Sequence, residues 1–249
     1  MIMKSLQKSL KVLECFSPQM QELGVSEIAR MLDLNKSNVH NILNTLESEG
    51  YITHNKVTEK YSLGYKFLQF SYSIMSAYPY TSFIVPVIND LASDLNLITY
   101  FGIPHGDSVL YLFSAYPETY GKNVPYRSIL GETAPYYCTS IGKSLLFSMS
   151  DEEILPLING QKTKYTQNTL VTEEEILADL HKSRERGYSI DNSEHEKGVR
   201  CVGVPVTDRN GHLIGAISAS GPTSIVTEER VSIISQKLLT AAFEIKSRF

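Results

Sequence analysis

Between Ser26 and Ile52 the apolar residues recur with helical spacing in two short blocks separated by a polar break. In the first block Ile28, Ala29 and Leu32 share one face, and in the second Val39, Ile42, Leu43 and Leu46 stand at i, i+3, i+4 and i+7. Asp33-Leu34-Asn35 makes the turn between them. Ser26 is expected to cap the first helix, Asn35 to cap the second, and Gly50 to end it in a left-handed cap. The spacing predicts a helix-turn-helix. With its apolar stripe turned inward, the second helix must present Ser37, Asn38, His40, Asn41, Asn44, Thr45 and Ser48 outward, with Lys36 near its start. Short amides and hydroxyls suit hydrogen bonding to base edges in a DNA major groove. A merely solvated helix would instead carry Glu and Lys for i,i+4 pairing.

The flanking pattern extends this unit. Leu6, Leu10 and Leu13, broadened by Val12 and Phe16, predict a supporting helix over 5–16. Tyr51-Ile52 and Tyr61-Ser62-Leu63 enclose a polar turn, which predicts a hairpin, or wing, with His54, Lys56 and Lys60 at its tip for phosphate contact. Residues 65–78 form an aromatic-rich helical stretch ended by Pro79. Phe67, Leu68, Phe70, Ile74 and Met75 surround much of it, so it must dock on its own domain or on a second subunit. From about Thr81 helices are predicted at 82–94, 140–149, 173–186 and 227–246. Strands are predicted at 97–103, 108–114, 188–191, 199–206 and 212–220, the last two joined as a hairpin across Asp208–Gly211. The dominance of hairpins favours an α+β fold with an antiparallel sheet. The division predicted is a winged helix-turn-helix domain at 1–64, a linker helix at 65–80 and an effector domain at 81–249.

Composition narrows the partners. A net charge of −4 argues against a general nucleic-acid coat, yet the first 66 residues carry a balance of +1 and the remainder −5. A nearly neutral DNA-binding domain must rely on where its charges stand, and on pairing of copies, for useful affinity. The three cysteines, at 15, 138 and 201, form no CxxC pair and no disulfide framework. The first residues lack a signal-peptide core and no run approaches 18 apolar residues, so a cytoplasmic protein without membrane contact is expected.

SLQKSLKVLECF, VSEIARMLDLNKSNVHNILNTLESEGYI and YSLGYKFLQ resemble the winged-helix half of IclR-type transcriptional regulators. APYYCTSIGKSLL at 134–146, RGYSIDNSEHEKGVRCVGVPV at 186–206 and DRNGHLIGAISASGP at 208–222 resemble that family's effector domain, in the same order. The resemblance implies a GAF-like effector domain and homodimers built through the winged helix and linker, often assembled as dimers of dimers. It also implies a palindromic double-stranded DNA operator and a small organic acid or aromatic compound as effector; of ligand-controlled repression and activation, repression is the mode expected. One departure is Asn41, where the family pattern usually carries Arg. Carried over by position, the effector contacts become Ser140, Ile141, Asp191, Val199, Cys201, Ser218 and Ser220, with Tyr126, Tyr136 and Tyr137 in their neighbourhood.

The residues themselves give these positions chemical sense. Ser140 and Ile141 stand at the predicted start of a helix, where free N–H groups favour an anion. Ser218 and Ser220 lie two apart on one strand and so share a face with the small Ala216. Asp191 opposes a bare carboxylate and suits a ligand bearing a hydroxyl or N–H; it can equally cap a turn. Two rival readings arise. Gly142-Lys143-Ser144 fails as a phosphate loop because Tyr137 stands where its first glycine belongs, and Cys201 with His195 lacks the spacing of a thiol enzyme. A metal sensor would need Cys138, His195, Cys201, Asp191 or His105 to converge, at spacings that fit no standard zinc site, and no cofactor is implied.

Overall fold

The computed structural model describes residues 2–77, 81–118 and 129–248. The chain divides into two compact units, Met1–Pro79 and Tyr80–Phe249.

The first unit runs α1 (Lys4–Glu14), α2 (Val25–Leu32), α3 (Lys36–Ser48), β1 (Ile52–Asn55), β2 (Lys60–Leu63) and α4 (Lys66–Ala77). Val12, Ile28, Val39 and Leu43 are fully buried and meet at its centre with Phe16, Leu23, Ile52 and Tyr61. The turn between α2 and α3 is sharp because Asp33 takes a left-handed conformation (φ 51°), which a short polar side chain tolerates. Gly50, at φ 76°, likewise lets the chain leave α3. The antiparallel β1–β2 hairpin is pinned to the helices by paired bonds between Leu23 and Tyr61, each N–H donating to the other's carbonyl at 2.9 Å.

Three local expectations need correction. Ser26 lies inside α2 rather than capping it; Gly24 is the cap residue, and its N–H donates to the Glu27 carboxylate at 2.7 Å. Asn35 holds the cap position of α3 but its side chain makes no capping bond. His54 belongs to β1 rather than to the wing tip: its ring stacks on Tyr61 with centroids 4.4 Å apart, and Nε2 reaches Glu59 at 3.4 Å. Stacking on a buried tyrosine draws it out of the turn, which leaves Lys56 there.

The second unit comprises α5 (Thr81–Leu95), β3 (Ile98–His105), β4 (Ser108–Ala115), β5 (Thr133–Pro135), α6 (Ser140–Leu145), α7 (Asp151–Ile158), α8 (Glu173–Arg186), β6 (Ser189–Asn192), β7 (Val199–Thr207), β8 (Leu213–Pro222) and α9 (Glu228–Ser247). Its sheet has the order β5-β4-β3-β8-β7-β6, antiparallel throughout. This is the α+β architecture with an antiparallel sheet that the dominance of hairpins predicts. Strand alternation sends Val202 and Val204, fully buried, to the side covered by α5 and α9. The opposite side receives α6, with α7 and α8 beyond it. The helix expected over 140–149 is shorter, ending at Leu145, and a second helix follows it. Ser150 accepts from Glu153 N–H while the Glu153 carboxylate takes the Ser150 N–H, a capping box that starts α7 afresh. Helix α7 and the short strand β5 were not foreseen.

Candidate DNA-reading face and ligand cavity

Helix α3 buries Val39 and Leu43, half-buries Ile42 and Leu46, and so turns its other residues outward as its periodicity requires. Lys36, Ser37, His40, Asn41 and Asn44 are exposed and Asn38 is half-buried. Two hydroxyls on this face turn back to the helix: Thr45 donates to the Asn41 carbonyl and Ser48 to the Thr45 carbonyl, both at 2.9 Å. The Asn44 amide approaches His40 Nδ1 at 3.2 Å. Of the wing cations, Lys60 is held by Glu27 at 3.2 Å, whereas Lys56 stands exposed in the turn. Ser26 is exposed on the second residue of α2. Helix α4 buries none of its residues: Leu68 is 64% and Tyr72 75% exposed, and among the described residues Phe67 and Phe70 find a ring partner in Tyr51.

In the second unit the sheet register assembles a cavity. Asp191 pairs with Cys201, Cys201 with Ser220 and Ser220 with Ile98, a row across four strands; two residues along, Gly203, Ser218 and Tyr100 form the next. Because side chains alternate, Asp191, Cys201, Ser218, Ser220 and Tyr100 emerge on one face. Gly203 lets α6 lie directly on that face, since a Cβ there would come within 2.6 Å of the Ser140 carbonyl oxygen. Thr139 caps α6 by accepting the Gly142 N–H at 3.1 Å, which fixes Ser140 and Ile141 at the rim. The result is a cavity of about 170 Å³ that brings together Ser140, Ile141, Asp191, Val199, Cys201, Ser218 and Ser220.

Tyr126 lies outside the described residues. Tyr136 and Tyr137 are not in the lining: the first is buried with its hydroxyl meeting the His105 N–H at 3.2 Å, the second donates to the Thr163 carbonyl at 2.9 Å. The tyrosines that do line it are Tyr100, Tyr111 and Tyr116, joined by Glu132, His195 and Glu196. Tyr100 and Tyr111 meet edge to face, centroids 5.6 Å apart. Sequence reasoning missed them because their place depends on the pairing of Tyr100 with Ser218, and register is not written in either strand alone.

The cavity's electrostatics are acidic: Glu132, Asp191 and Glu196 line it and no Lys or Arg does, among the described residues. Asp191 both caps a turn and faces the cavity, so its two sequence readings coexist; its Oδ1 accepts the Glu194 N–H at 2.6 Å. Burial raises its carboxyl to about 7, against the pull of that amide and with the added push of the Glu194 charge. Burial lowers the His195 imidazole, which favours its neutral form. Burial also raises the Cys201 thiol well above its usual value, and the thiol donates to Ser220 Oγ at 3.1 Å, so Cys201 is no activated nucleophile. Among the described residues no three His, Cys, Asp or Glu side chains gather as a metal-binding group.

Below the cavity lies a charge cluster. The Lys143 ammonium, fully buried, sits 2.7 Å from Asp179, 2.7 Å from Glu194 and 3.1 Å from the Ile190 carbonyl. Burial works against its charge, but the two carboxylates outweigh that and hold it above its ordinary value. The lysine of the Gly-Lys-Ser sequence is therefore a structural cation.

A winged helix-turn-helix with a polar recognition helix, joined to an α+β unit enclosing a polar cavity, defines a ligand-sensing class of DNA-binding proteins. Two family profiles match this chain, "IclR helix-turn-helix domain" over residues 5–56 and "Bacterial transcriptional regulator IclR C-terminal" over 75–247. The chain belongs to the IclR family of bacterial transcriptional regulators, and it is a DNA-binding transcriptional regulator rather than an enzyme. It is 31% identical over 242 residues to the HTH-type transcriptional regulator XynR of Escherichia coli, covering 96% of this chain and 94% of that one. It is also 31% identical to E. coli KdgR over 229 residues, covering 92% and 86%. An IclR regulator from Alicyclobacillus acidocaldarius shares the fold, with a TM-score of 0.85 at 22% identity over 99% of each chain. Among the described residues no helix is long and apolar enough to cross a membrane.

Proposed function

We propose that this regulator is a repressor whose hold on a palindromic operator is set by a small organic acid or aromatic compound seated in the cavity between α6 and the sheet. The carrying observation is that seven side chains widely spaced in sequence, Ser140 to Ser220, line one space. Hydroxyls of Ser140, Ser218 and Ser220 can hold the polar groups of such a ligand, and Tyr100 and Tyr111 offer ring edges to its body. The repressor mode is favoured by relatives such as the transcriptional repressor IclR of E. coli, 25% identical over 97% of this chain. Pairing of two copies is favoured by the uncovered apolar residues of α1 and α4, Leu6, Leu10, Leu68 and Ile74 among them. Two copies related by a two-fold axis match two half-sites about one helical turn, or a multiple of it, apart.

The reading face in this proposal comprises Lys36, Ser37, Asn38, His40, Asn41 and Asn44, with Lys56 on the wing contacting phosphate and Ser26, His54 and Lys60 at its margins. The experiment titrates a panel of small aliphatic and aromatic acids against the protein bound to its operator. A ligand acting through the cavity shifts operator affinity roughly 5- to 150-fold. A compound that binds in the cavity yet leaves operator affinity unchanged rules out this mode of control.

A further inference from the structure

The outward face of α3 carries asparagine amides and no guanidinium: the helix contains no Arg, and its one Lys, Lys36, is its first residue. Resting on the reading that α3 enters the major groove, we propose that each operator half-site is recognised at adenine, through the side-chain amides of Asn38 and Asn41. Three of the other polar side chains are already engaged, and the remaining Ser37 carries a hydroxyl, which pairs with any base and so selects none. Thr45 and Ser48 spend their hydroxyl protons on helix carbonyls, and the Asn44 amide lies against His40. Asn38 and Asn41 have no side-chain hydrogen-bond partner among the described residues, and they lie in the half of the helix whose residues reach base edges in this class of motif. An amide presents a donor and an acceptor side by side, which matches N7 and N6–H₂ of adenine, whereas the O6/N7 acceptor pair of guanine calls for two donors from Arg or Lys.

The spacing fits. Three residues advance an α-helix by about 4.5 Å and rotate it so that the two amides lie about 60° apart, against a rise of about 3.4 Å per base step. Asn38 and Asn41 therefore address adjacent or next-but-one base pairs. Lys36, at the helix's first turn, is left to the phosphate backbone as a point charge.

In vitro selection from random-sequence duplexes with the full-length protein tests this. The expected result is A·T pairs at two neighbouring positions in each half-site. Replacing either adenine by 7-deazaadenine, which removes the N7 acceptor, weakens binding about 5- to 150-fold if the contact is bidentate. Asn41→Arg moves one position toward G·C, and Asn38→Ala relaxes the other; Asn41 is exposed and Asn38 half-buried on the flank of α3, and circular dichroism checks that each variant is folded. Selected sites with G·C at these positions, or 7-deazaadenine bound as tightly as adenine, overturn the assignment while leaving sequence-specific binding intact. Failure to enrich any motif overturns the reading of α3 itself.

Discussion

Replacing Asp191 by Asn separates what its charge does from what its shape does. The amide keeps an oxygen for the Glu194 and His195 N–H groups, which Asp191 accepts at 2.6 and 3.4 Å, but it cannot ionise. In the wild type the charged carboxylate faces Glu194 in the same turn, the Cys201 thiol across the strand pair and the Lys143 ammonium from α6, and burial outweighs the help it receives. A rise from the usual 3.8 to about 7 corresponds to ~4 kcal/mol in favour of the protonated form. The sign follows from proton counting. Below the usual value both folded and unfolded chains hold the proton; between it and about 7 only the folded chain does, so stability falls as pH rises through this window and levels off above it. From about pH 5 to pH 8 the wild type should lose about 2.5 kcal/mol that Asp191→Asn does not lose. Urea unfolding of both proteins across this range, followed by circular dichroism, measures the difference. Parallel pH profiles in the two proteins would refute the claim that burial sets this group's ionisation.

Three further outcomes are expected. Lys143→Met strands the Glu194 and Asp179 carboxylates and should cost about 3–5 kcal/mol in urea unfolding, with Glu194→Gln in the same chain restoring part of it. Gly203→Ala puts a methyl group 2.6 Å from the Ser140 carbonyl oxygen; it should lower the melting temperature and weaken effector binding, read by calorimetry, while DNA binding without ligand persists. Lys56→Ala should reduce the slope of log affinity against log salt by about 1 and leave base preference unchanged.

Much of the DNA-reading unit could be read from the chain because its signals are local. The stripe of Val39, Ile42, Leu43 and Leu46 fixes which face of α3 is inside, and Gly50 marks its end, without reference to any distant residue. Capping was less legible: Ser26 and Asn35 are good capping types, but Glu27 reaches back to Gly24 and wins the first position. His54 was misplaced because its stacking partner, Tyr61, comes from the opposite strand. In the second unit the seven cavity positions came from collinear motifs, whereas Tyr100, Tyr111 and Glu132 follow from register and from an irregular segment that carries no periodic signal. The role of Lys143 was hidden for a related reason, since its partners Asp179 and Glu194 lie far along the chain.

One buried ammonium grips the helix that forms the cavity's rim, the turn that bears Asp191, and α8 behind them. These three parts are consequently yoked: a guest that nudges the turn drags the rim and its backing helix along, and cannot deform one wall while sparing the others. A fully sequestered cation thus ties together three walls that lie far apart along the chain.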